Sequence, residues 1–91
     1  MQAAPKPQMS RAEKLRWYSN QLMTDATEAE KAGNAETAIS NYLQAAEIWL
    51  LLAKVEQSYP SWKAYTDAAS QCQHKAKSLI AVASKGAAPP P

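Results

Sequence analysis

The sequence is poor in residues that turn, staple or stiffen a chain. In 91 residues it holds two glycines, one cysteine and no phenylalanine, and its six prolines sit almost entirely at the ends. Between Gln8 and Tyr59 the only breaker is Gly33. A β-rich fold needs frequent turn residues, so the pattern argues against that class and predicts an all-α domain. The lone Cys72 cannot close an intramolecular disulfide. No apolar run approaches the ~18–20 residues that span a bilayer, and the N-terminus carries no apolar signal-peptide core. The expectation is a cytoplasmic domain with no direct membrane insertion. Charge of one sign is scarce as well, ten Lys and Arg standing against eight Asp and Glu for a formal +2. The densest basic group, Arg11, Lys14 and Arg16, is a weak footprint beside the basic face of a typical nucleic-acid binder. It is read as a solvated helix start, with no nucleic-acid partner.

What the chain does have is alanine, at 19 positions. A short, alanine-rich chain buries only a thin core, too small for a two-layer sheet around a deep cleft, and its length allows one domain. Residues 1–9 carry two prolines and no periodicity, and read as a disordered lead-in. Ser10 and Glu13 have capping-box spacing, Ser10 capping a helix and Glu13 reaching back. The stripe Leu15, Tyr18, Leu22, Ala26 and Ala29 follows at steps of three and four, which predicts a helix over about 10–33 ending at Gly33. Asn34 caps a second helix over about 35–57, with Glu36 in its first turn. Ala38, Tyr42, Ala45, Trp49 and Leu52 make one stripe there, and Ile39, Ala46, Leu50 and Ala53 a second. Two apolar faces place this helix centrally. Tyr59-Pro60-Ser61 is read as a break. A third helix over about 61–84 carries Tyr65, Ala69, Cys72, Ala76, Leu79 and Ala83. Gly86 and three prolines then stop it, so residues 85–91 read as the start of a Pro-rich linker. Short loops force antiparallel neighbours, and the predicted architecture is an antiparallel three-helix bundle.

Catalysis finds little to use. His74, the sole histidine, sits beside Lys75 and Lys77 with no acidic residue within four positions, and reads as a solvated helix residue rather than a general base. Cys72 and His74, two apart on a helix, point to different faces, as do Glu28 and Glu30, so no metal set is formed. No glycine-rich phosphate loop is present. The reading is a non-catalytic chain with no cofactor. Trp17, Met23, Leu43, Leu51 and Trp62 remain off the main seams. Alanine seams leave shallow interhelical grooves of the kind that dock a partner helix or an extended peptide, and Met23 flanks one of them.

The stretch Ala26-x-x-Ala29-Glu30-Lys31-Ala32-Gly33-Asn34-Ala35-Glu36-Thr37-Ala38-Ile39-x-x-Tyr42-x-x-Ala45-Ala46-Glu47 resembles the microtubule-interacting and trafficking (MIT) domain, over about residues 15–83. The Tyr59-Pro60 break and Ala64-Tyr65 are similar to the archaeal members that head the AAA ATPase of the cell-division (Cdv) system, relatives of the ATPase that disassembles ESCRT-III. The resemblance implies a three-helix bundle that binds tail motifs of ESCRT-III-like proteins and recruits an ATPase carried outside this chain. Family members take a helical motif between helices two and three, or an extended, proline-containing motif between helices one and three. Gln73 stands where those taking the helical motif carry leucine, which favours the extended mode. The implied partner-binding residues are Ser19, Met23 and Thr27 on helix one, facing Tyr65, Ala69, Cys72 and Ala76 on helix three. Glu30 stands where the family usually has Asp, and Lys75-Ala76-Lys77 where Arg-Ala-Glu is common. The isolated domain is expected to be monomeric. The alternatives are a tetratricopeptide-like or self-associating structural bundle; tetratricopeptide helices are shorter, and no second repeat is present.

Overall fold

A computed structural model describes residues 8–86. The greater part of the lead-in and of the proline-rich stretch lies outside the described residues. The chain folds into three helices, α1 (Arg11–Lys31), α2 (Ala35–Val55) and α3 (Tyr59–Gly86), joined by three-residue connections into an antiparallel bundle.

Each boundary has a local cause. Ser10 Oγ accepts from the Glu13 N–H at 3.1 Å while Glu13 accepts from the Ser10 N–H at 3.3 Å, the reciprocal capping box that the spacing predicts. At the other end of α1, the Gly33 N–H donates to the Glu30 carbonyl and the Asn34 N–H to the Ala29 carbonyl. That paired closure is a Schellman motif, and it needs Gly33 in the left-handed region, where its φ of 81° lies. Asn34 Oδ1 then accepts from the Thr37 N–H and starts α2.

The second connection corrects the sequence reading. The break falls at residues 56–58, with Glu56 extended at φ −82°, ψ 130°, rather than at Tyr59-Pro60. Pro60 sits inside the first turn of α3, where a missing N–H costs nothing because first-turn donors have no intrahelical acceptor. The third helix also runs on through Gly86, where a stop was expected.

The core is thin, and α2 is its spine. Ala38, Tyr42, Ala45, Ala46, Trp49, Leu52 and Ala53 of α2 are all buried, with Ala26 from α1 and Tyr65, Ala69, Cys72 and Ala76 from α3. The largest side chains shielded from solvent altogether are Cys72 and Ser19. Trp49 and Tyr65 stack with ring centroids 5.8 Å apart, filling the centre that the alanines leave open.

Three stripe positions depart from expectation. Tyr18 is 49% exposed and packs edge-on against Trp17. The α1 seam turns instead through Ser19, whose hydroxyl donates to the Ala45 carbonyl at 3.1 Å and lets the two helices approach closely. Leu50 is 43% exposed at the margin of the second α2 stripe. Ala83 is exposed because α3, at 28 residues against 21 for α2, outruns its neighbour by about 10 Å.

Candidate functional site: the groove between α1 and α3

Antiparallel packing of both outer helices on α2 makes α1 and α3 parallel to each other. They pack extensively on α2 but approach each other closely at few points. Side chains bridge the gap at two places. Arg16 Nη1 donates to Tyr65 Oη at 2.9 Å, and Lys75 Nζ lies 3.8 Å from Glu30 Oε2. Fourteen residues separate Arg16 from Glu30, so the bridges stand about 21 Å apart along α1.

Between them lies an open groove of about 500 Å³, lined by Met23 and Thr27 of α1, Tyr42 of α2, and Ser70, Gln71, Cys72, His74 and Lys75 of α3. A polar chain holds its floor. Tyr42 Oη donates to Glu30 Oε1 at 3.0 Å and lies 3.2 Å from Thr27 Oγ1, which also reaches the Met23 carbonyl at 2.9 Å. The Thr27 hydroxyl has one proton, so Tyr42 and the carbonyl compete for it. Met23 is fixed from behind, its Sδ accepting from Trp49 Nε1 at 3.2 Å. Trp49 stacks on Tyr65, which Arg16 holds, so the groove wall is tied across all three helices. The sulfur at the groove presents a polarisable, adaptable surface.

The residues expected on this groove divide into two sets. Met23, Thr27 and Cys72 line it. Ser19, Tyr65, Ala69 and Ala76 are buried in the seams, at 0%, 9%, 1% and 0% exposure, and serve as packing beneath the wall. Burial pushes the Cys72 thiol above its ordinary pKa by desolvating the thiolate. Sequence reasoning passed over Tyr42, Ser70, Gln71, His74 and Lys75. The stripe puts Tyr42 in the core, His74 reads as a solvated helix residue, and Ser70, Gln71 and Lys75 carry no expected role on the groove. The pairing of α1 with α3 could have identified them, since residues at the edge of the Cys72 stripe must face the neighbouring parallel helix.

Among the described residues no group of three or more His, Cys, Asp or Glu side chains could hold a metal ion. No described helix is long and apolar enough to cross a membrane. The chain matches no family model, and no curated protein and no solved structure is significantly similar to it.

Proposed function

We propose that this chain is a non-catalytic docking module that takes an extended, proline-containing protein tail in the groove between α1 and α3. The observation that carries the reading is that groove itself, a cavity of about 500 Å³ lined by Met23, Tyr42 and polar side chains of α3, lying between two bridges about 21 Å apart. The span between the bridges equals about six extended residues at ~3.3 Å each. An extended ligand presents alternate side chains to such a floor while its backbone meets hydroxyl and amide groups at the rim.

The resemblance to MIT domains supplies the partner class: tails of ESCRT-III-like proteins, with the module recruiting a cytoplasmic AAA ATPase to their polymer. The residues that carry the resemblance build this region, Gly33 and Asn34 forming the turn, and Tyr42 and Glu30 the hydrogen bond beneath the groove. Affinity is expected at roughly micromolar to tens of micromolar, as suits a small interface that must release.

The test is Met23→Asp. It places a charge on the floor and removes the sulfur, so binding of a proline-containing tail peptide is lost while circular dichroism still reports a folded helical domain. Undiminished binding by the folded variant overturns the assignment to this groove. A second reading, self-association, is favoured by the exposed apolar side chains on either side of the α2–α3 connection, Leu51, Val55, Tyr59 and Trp62. Sedimentation at tens of micromolar decides it: a monomer excludes it, and a stable dimer supports it.

A further inference from the structure

Arg16, which crosses from α1 to Tyr65 of α3 beyond the groove, stands out among the charged groups along the α1–α3 gap. Carboxylates of both outer helices are engaged elsewhere: Glu13 in the capping box, Asp67 with Lys63 at 2.9 Å, and Glu30 with Tyr42 and Lys75 at the far end of the groove. The two ion pairs found among the described residues leave Arg16 out. Its partly buried side chain makes a hydrogen bond to a neutral phenol and has no ion-pair partner, which leaves the guanidinium further N–H donors to offer.

We infer that the groove is electrically directional, and that its ligand is an extended peptide carrying an Asp or Glu side chain that pairs with Arg16. This rests on the docking reading above and deepens it with a register. Arg16 precedes Met23 by seven residues, about 10.5 Å along α1, which equals about three residues of extended peptide. The acidic residue therefore lies about three positions from the apolar side chain seated over Met23. A guanidinium takes a carboxylate through two parallel hydrogen bonds, so the pair also fixes which way the peptide runs.

The experiment uses peptides with amidated C-termini, a proline and one apolar anchor, and a single Glu moved along the sequence, with Gln at the same place as the control. The wild-type domain should bind best when Glu is three positions from the anchor on one side, about tenfold tighter than the Gln control. Arg16→Gln should erase that difference; comparing Glu and Gln peptides on the same variant cancels any loosening of the wall that follows from losing the hydrogen bond to Tyr65. Equal affinity of Glu and Gln peptides for the wild type overturns the inference while docking stands. So does a Glu preference that persists in Arg16→Gln. Failure of every peptide to bind the wild type removes the docking reading and this inference together.

Discussion

Replacing Tyr42 with phenylalanine removes one oxygen from the centre of the structure and leaves its volume unchanged, which isolates what the floor of the groove contributes. Tyr42 is 3% exposed and belongs to the buried core cluster, so no cavity opens and its packing there is kept. What is lost is the 3.0 Å donation to Glu30 and the 3.2 Å contact with Thr27. Thr27 loses little, because its hydroxyl still reaches the Met23 carbonyl. A hydrogen bond to a charged acceptor contributes about 1.5–3 kcal/mol, but the Glu30 side chain is 33% exposed and water can replace the phenol, which brings the expected loss to about 1 kcal/mol. For a domain of this size that lowers Tm by about 4–8 °C. Thermal unfolding followed by circular dichroism reads it, and a double-mutant cycle with Glu30→Ala assigns it. In the Glu30→Ala background the Tyr42→Phe loss should fall to a few tenths of a kcal/mol. A Tyr42→Phe domain as stable as the parent, or one equally destabilised with and without Glu30, refutes the reasoning.

Two further perturbations probe other parts of the account. Gly33→Ala puts a Cβ on a backbone at φ 81° with open space around it, so the cost is conformational, about 1–2 kcal/mol in urea unfolding; Gly33→Asn should cost less, and an Ala variant as stable as the parent would contradict the Schellman closure. Cys72 is buried and its thiol is held in the neutral form, so alkylation followed by mass spectrometry should be far slower in the native domain than in denaturant. Because the folded pKa lies above the unfolded one, the unfolded chain loses this proton first; the thiol's contribution to stability therefore declines as pH rises through the ordinary thiol range, and Cys72→Ala should flatten that part of the alkaline profile.

Much of the fold was legible because its signals are local. Ser10 with Glu13, Gly33 with Asn34, and the stripe Ala38–Tyr42–Ala45–Trp49–Leu52 each depend on spacing along one helix, and each occupies the place the spacing gives it. Tyr18 was misplaced because hydrophobicity favours a tyrosine over a serine, whereas close helix approach favours the smaller side chain, and Ser19 spends its hydroxyl on the Ala45 carbonyl. Pro60 was read as a break because the rule for the residue before proline weakens within a first turn. The groove was only half legible. Met23 and Thr27 could be placed on the flank of α1, but Ser70, Gln71, His74 and Lys75 are indistinguishable in sequence from any solvated face. Only the parallel alignment of α1 with α3, a property of the assembled bundle, makes them a wall. The same assembly explains why Tyr65, Ala69 and Ala76 lie beneath that wall rather than on it.

The most direct test of the docking account is a backbone amide shift titration of the isotope-labelled domain with a proline-containing tail peptide. The account predicts saturable shifts centred on Met23, Thr27 and residues 70–75, with little change at Leu43, Leu50 and Trp62. Shifts centred on those three residues instead, or none up to millimolar peptide, would contradict it.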